Sequence, residues 1–195
     1  MKLIGTHTAE HSPHAGGLAA VEPPPESPSR AYGKLEEAIA WAHLPIEAGH
    51  VALEIGAAPG GAALALVQRG VTVWGVDTGD MAPQVLAYRH ANGARVHHVA
   101  KKVGALRWEQ LPKRVDWLLV DVNLAPQVAL HEVARLMPPL KDQLRGAIFT
   151  LKLNDWAFVA QLPALAKRIA ELGLPRIRMQ HLPSNRHEVC CVALP

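Results

Sequence analysis

Four charged residues stand where apolar segments end or begin. Asp121 closes the run Trp117-Leu118-Leu119-Val120, Lys152 closes Phe149-Thr150-Leu151, and Glu188 opens Val189-Cys190-Cys191-Val192. Lys34 lies ahead of them in a segment of helical periodicity. An isolated charge in an apolar strand costs free energy unless it is paired. Two lysines and two carboxylates that met would compensate one another. Singly, each has a plainer reading: Asp121 as a helix cap, Lys152 as a lysine with its head in water, Glu188 as a surface strand charge. Gathered, such groups can place a reactant and remove the proton of a poorly nucleophilic hydroxyl.

A second signal is the run Glu54-Ile55-Gly56-Ala57-Ala58-Pro59-Gly60-Gly61, between an apolar strand and an apolar helix. Small residues there let backbone approach a ligand closely. Ligands of open α/β sheets bind beyond the carboxyl ends of the strands. Asp77 stands 21 residues beyond Gly56, at the end of the next strand. A carboxylate in that place can accept both hydroxyls of an adenosine ribose. The alternative is a structural turn with an unrelated Asp77.

The elements that must position these residues follow from periodicity. Ser29 is expected to cap a helix carrying Leu35, Ala38, Ile39 and Ala42. Strands are predicted at 51–55, 71–76, 95–99, 115–122 and 146–153, with helices to about Gln68, at 125–137 and at 155–172. Asp80 is expected to cap a short helix with Pro83 in its first turn. Strand–helix alternation argues for a parallel sheet covered on both faces. The last two strands, 176–182 and 187–194, are joined by a short loop and must pair antiparallel. The expected fold is therefore α/β: a Rossmann-like seven-stranded sheet, mostly parallel with an antiparallel last strand. Strand seven then starts at the edge where strands four and five end, so Asp121, Lys152 and Glu188 can converge, with Lys34 folding over them.

The turn lacks the G-x-G-x-x-G that holds a dinucleotide pyrophosphate. S-adenosylmethionine has no phosphate and needs room more than anion-binding geometry. Gly56-Ala57-Ala58-Pro59-Gly60-Gly61 resembles the first motif of methyltransferases using that cofactor, closely that of the FtsJ-like RNA ribose methyltransferases. Lys34, Asp121, Lys152 and Glu188 match that family's Lys-Asp-Lys-Glu set in order and context. Ser29-Arg30-Ala31-Tyr32-Gly33-Lys34-Leu35 looks like its SRA-x-x-KL opening, and Ser184-x-Arg186-x-Glu188-Val189 like its closing S-x-R-x-E-V. The resemblance spans about residues 28–194. It implies transfer of a methyl group from S-adenosyl-L-methionine to a ribose 2′-hydroxyl of RNA, with ribosomal RNA as the expected partner. It makes Lys152 the proton acceptor and puts Asp121 beside it and near the methyl group. Lys34 and Glu188 would hold the ribose and its phosphate, and Ser29 would touch the cofactor. The Lys34 cation would lower the pKa of Lys152 and the two carboxylates would raise it, and residue types leave that balance open. One departure stands out: Val99-Ala100-Lys101-Lys102-Val103 carries no acidic residue where the family often has one facing adenine.

The bulk properties agree with one domain of ordinary size: 195 residues, 49% hydrophobic, formal net charge +3, and an isoelectric point near 9.0. A mildly basic chain permits a polyanionic partner without requiring one. Residues 1–28, rich in Pro, Gly, Ser and His, read as a flexible tail before a domain over 29–195. His7, His11 and His14 lie in it with no scaffold to hold a metal, and no metal is expected. No separate RNA-binding domain is read in the chain. No apolar run suits a membrane span or a signal peptide, so a cytoplasmic setting is expected. Adjacent Cys190 and Cys191 point to opposite faces of a strand and are read as reduced thiols. Arg30, Lys34, Lys101, Lys102 and Arg186 are candidates for phosphate contact, and Asn154 for facing the substrate. Lys113-Arg114, Lys167-Arg168, Arg176 and Arg178 are read as solvated charges, and most tryptophans as packing. Two rival readings remain: an RNA- or ribosome-binding protein with little activity, and a small-molecule O-methyltransferase.

Overall fold

The computed structural model describes residues 21–153 and 156–195. The tail histidines and Asn154 lie outside them. One seven-stranded sheet runs through these residues in the order β3-β2-β1-β4-β5-β7-β6. Its strands are β1 (Val51–Ile55), β2 (Thr72–Val76), β3 (Val96–Val99), β4 (Trp117–Val120), β5 (Gly146–Lys152), β6 (Arg176–Gln180) and β7 (Glu188–Leu194). All neighbours pair parallel except at β7, which runs antiparallel to both β5 and β6. The reversal follows from the short β6–β7 connection, which cannot make a crossover.

Helices cover both faces. On one side lie α1 (Ala31–Ala42), α2 (Gly61–Gln68) and α3 (Pro83–Ala87); on the other lie α4 (Pro126–Leu136) and α5 (Leu162–Ala170). Side-chain alternation feeds two separate cores. Trp117 and Leu119 of β4 join Leu35, Ile39, Leu64 and Ile148, while Leu118 and Val120 join Leu130, Val133, Phe149 and Ile169. The helix α2 is apolar and buried from Gly61 to Val67, under α1.

Four local expectations are corrected. The N-cap of α1 is Arg30, although Ser29 Oγ still accepts the Ala31 N–H at 3.3 Å. The short helix α3 is preceded by Ala82, with no side-chain cap from Asp80. The segment expected as one helix over 155–172 is a 3-10 turn, Trp156–Gln161, followed by α5. Pro163 explains the break, because its ring would clash with the carbonyl four residues earlier in a continuous helix. Residues 21–28, read from composition as tail, run against the domain: Glu26 accepts from the Gln68 side chain and its carbonyl from that of Gln84, both at 3.2 Å. Among the described residues no helix is long and apolar enough to cross a membrane.

One buried carboxylate ties the amino ends of three central strands. Asp116 Oδ2 accepts the Val51 N–H at 2.9 Å, and the Asp116 N–H donates to the Val51 carbonyl at 2.8 Å. Its carbonyl accepts from Arg145 N, and Oδ1 takes Arg114 at 2.7 Å and Arg145 at 3.2 Å. Arg114, read from sequence as solvated, is exposed and also joins this knot, in which Asp116 links β1, β4 and β5. Burial raises the Asp116 carboxyl, but the arginines and the Val51 N–H outweigh it and hold it below the ordinary range. A depressed carboxyl contributes stability above its unfolded pKa and loses it as pH falls through the folded one. Asp116→Ala is expected to cost about 2 kcal/mol in denaturant unfolding at neutral pH, with the deficit shrinking in acid.

Candidate active site

Lys34, Asp121, Lys152 and Glu188 come together at the carboxyl edge of the sheet as a square of alternating charge. Lys34 Nζ lies 2.6 Å from Asp121 Oδ2 and 3.0 Å from Glu188 Oε2. Lys152 Nζ lies 2.7 Å from Asp121 Oδ1 and 2.6 Å from Glu188 Oε1. Each carboxylate therefore gives one oxygen to each lysine. Strand register does much of the positioning. Lys152 and Glu188 are directly opposed across the β5–β7 ladder. Asp121 follows the last residue of β4, its N–H held by the Ile55 carbonyl at 2.9 Å.

Lys34 arrives from the second turn of α1, and that helix is pinned to the β6–β7 loop. Glu37, one turn on, is fully buried, and its Oε2 accepts both the N–H of Ser184 at 2.8 Å and the Ser184 hydroxyl. Sequence reasoning missed this link, though a Glu at helical spacing from Lys34 was a signal for it. At its other end the same helix carries Trp41, under the guanidinium of Arg178 at 4.5 Å. Arg178 is therefore not the solvated charge expected of it.

Burial and neighbours act on these groups in opposite senses. For Asp121 and Glu188 burial raises the carboxyl, and the two lysines more than reverse it, so both sit below the ordinary range. For Lys152 burial lowers the ammonium, and Asp121 and Glu188 outweigh it, so it sits above the ordinary range. The balance left open by residue types falls on the side of a charged resting Lys152. Beneath the square, Glu54 is 2% exposed, with Oε2 unpartnered. It lines a cavity of about 30 Å³ with Lys34, Asp121, Thr150 and Asn185. Burial first, then Asp121 and Asp77, push its carboxyl well above the ordinary range.

Two larger openings meet at Gly56, Ala58 and Asp121. One, of about 260 Å³, is lined by Ser29, Arg30, Lys34, Ala57, Pro59, Lys152 and Glu188 as well. The other, of about 540 Å³, extends past Asp77 and Thr78 to Lys101, Lys102, Leu124, Val128 and Glu132. That volume suits a nucleoside-sized ligand. Asp77 accepts the N–H of Ala58 at 3.0 Å and of Gly79 at 2.9 Å, which fixes its carboxylate and leaves lone pairs for hydroxyl donors. Gly60 and Gly61 line neither opening: Gly60 precedes α2 with φ 106°, and Gly61 makes room for Ser29. Among the described residues no His, Cys, Asp or Glu group could hold a metal ion. The buried thiols are raised by desolvation, Cys191 to about 12.

Similarity to known proteins points the same way. The family model described as FtsJ-like methyltransferase matches residues 28–168. Ribosomal RNA large subunit methyltransferase M of Chromohalobacter salexigens is 34% identical, over 97% of this chain and 53% of the relative. Its namesake in Marinobacter nauticus is 33% identical with the same coverage. The chain spans about half the length of these curated relatives. Among solved structures, magnesium protoporphyrin IX methyltransferase from Synechocystis PCC 6803 with bound SAM has a TM-score of 0.57 at 17% identity, covering 85% of this chain and 80% of that one. At that identity the likeness speaks to the fold alone.

Gly56 is the residue whose replacement tests how the two openings join. Its φ is +88°, and a Cβ there would lie 2.7 Å from the Asp121 carbonyl carbon. Gly56→Ala is expected to lower stability by about 1–3 kcal/mol and to displace Asp121, read as a lower melting temperature and altered Lys152 side-chain resonances.

Proposed function

This chain belongs to the FtsJ-like methyltransferase family, and on that premise we propose that it transfers a methyl group from S-adenosylmethionine to a ribose 2′-hydroxyl of large-subunit ribosomal RNA, in the cytoplasm. The observation that carries this reading is the square of alternating charge opening onto a nucleoside-sized cavity. The residues present fit the cofactor: Asp77 for its ribose diol, Gly56 and Ala58 for close backbone passage, and Leu124 and Val128 for an apolar face. Ser29, Ala57 and Pro59 line the adjoining recess, where the methionine part and the reacting hydroxyl would meet. Gly60 and Gly61 contribute by shaping that turn. When bound, the cofactor supplies an electrophilic methyl group on a sulfonium sulfur.

The chain's own residues do the rest. Arg30 and Lys34 line the recess by which a polyanion would enter and can meet its phosphates. Asp121 and Glu188 hold Lys152 Nζ from two sides, which fixes its position but keeps it charged at rest. A charged ammonium cannot take a proton, so Lys152 must first lose one. Neutral Nζ can then accept the proton of the attacking ribose hydroxyl. In that state the two carboxylates keep Lys34 as their remaining cationic partner.

The test is transfer of labelled methyl to unmodified ribosomal RNA, followed by digestion to nucleosides. Label on a 2′-O-methyl nucleoside is expected, with a loss of at least about 100-fold in Lys152→Ala. Label on bases or on small hydroxyl compounds would contradict the ribose assignment. Cofactor binding with no transfer to any RNA would favour a binding protein of low activity.

A further inference from the structure

The larger cavity contains a carboxylate to which the reaction above assigns no task. Three carboxylates line it. Asp121 is held by two lysines and Asp77 by two backbone N–H groups, and Glu132 stands apart on α4. Glu132 follows Val128 by one helical turn, so the two share a face, and Leu124, just before the helix, lines the same cavity. Leu124 is 40% and Val128 48% exposed. An apolar wall open to solvent thus ends in an acceptor. Facing that acceptor is Gly104, where even a Cβ would lie 3.5 Å from both carboxylate oxygens. A longer side chain would close the approach. Arg135 steadies the carboxylate from behind. Its shorter bonds, 2.9 and 2.7 Å, go to the carbonyls of Leu106 and Val103, and it reaches Glu132 Oε2 only at 3.5 Å. Oε1 is left for another donor.

A nucleoside whose ribose was read by Asp77 would extend its base along this cavity. Adenine offers flat apolar faces and an exocyclic amine that donates. Lys101 and Lys102, which line the same cavity, are donors and cannot accept that amine. We propose that Glu132 accepts the adenine amine of the cofactor and so selects adenine over a base carrying a carbonyl there. The inference rests on the reading of this cavity as the S-adenosylmethionine site. Glu132 is thereby a specificity residue supplied by α4, the helix behind the cavity.

Calorimetric titration of the whole chain with S-adenosylhomocysteine and with its hypoxanthine counterpart, S-inosylhomocysteine, tests this without reference to activity. Wild type is expected to prefer the adenine ligand by about tenfold or more, the scale of a hydrogen bond to a charged group. Glu132→Ala should bind the adenine ligand about tenfold more weakly and lose the preference. Glu132→Gln, nearly isosteric and able to donate, should bind the hypoxanthine ligand better than wild type does. Asp77→Asn should weaken both ligands alike, so that the two ends of the cavity report separately. Unchanged affinity in Glu132→Ala, or equal weakening toward both ligands with the preference kept, would overturn the assignment and leave the cofactor site standing. Failure of wild type to bind either ligand would overturn the cofactor reading itself.

Discussion

Two ammonium groups and two carboxylates, each with less than a quarter of its side chain exposed, alternate around a ring of contacts no longer than 3.0 Å. Charges that deep are tolerated only when every one faces its opposite. Removing a single partner of such a set costs about 3–5 kcal/mol, because the others are left uncompensated. The constraint is geometric as much as electrostatic. Four residues from a helix, a post-strand loop, one parallel strand and one reversed strand must end within a few ångströms of each other.

The rest of the structure can be understood as the means to that end. The Asp116 knot at the amino edge sets the register of β1, β4 and β5, and so fixes where Asp121 and Lys152 emerge at the other edge. The insertion of the reversed β7 between β5 and β6 puts Glu188 opposite Lys152. The Glu37–Ser184 contact holds α1, and with it Lys34, against the loop leading into β7. Gly56 lets the first turn pass against the Asp121 backbone, so the two openings meet at Gly56, Ala58 and Asp121. A stable, charged Lys152 is the resting condition this framework produces, and reactivity must come from upsetting it.

The architecture was legible in the sequence because its strands are short apolar runs bounded by turn residues, and the two periodicities of strand and helix alternate cleanly. Convergence of Asp121, Lys152 and Glu188 was legible for a different reason: a short β6–β7 connection forces the reversal that brings the start of β7 to the right edge. What escaped were local details of capping and helix breaking, and features decided by contacts far apart in sequence. Asp80 is a good cap by type, but the chain reaches α3 through Ala82. Pro163 splits a segment whose apolar spacing looked continuous. Arg178 pairs with Trp41, 137 positions away in sequence, in a packing no local rule reports. The cavity roles of Glu132, Leu124 and Val128 depend on how α4 leans against the segment 103–106, which periodicity does not specify. The charge state of Lys152 needed the distances, since residue types alone supply influences of both signs.

The most direct test of this account is a titration of the Lys152 ammonium by nitrogen-15 NMR in the cofactor-free chain, with Lys152→Arg to assign the signal. A pKa above the ordinary lysine value of about 10.4 is expected, falling when Glu188 is replaced by Gln. A Lys152 that titrates at or below the ordinary value, and is indifferent to Glu188→Gln, would contradict the charged square on which the site is built.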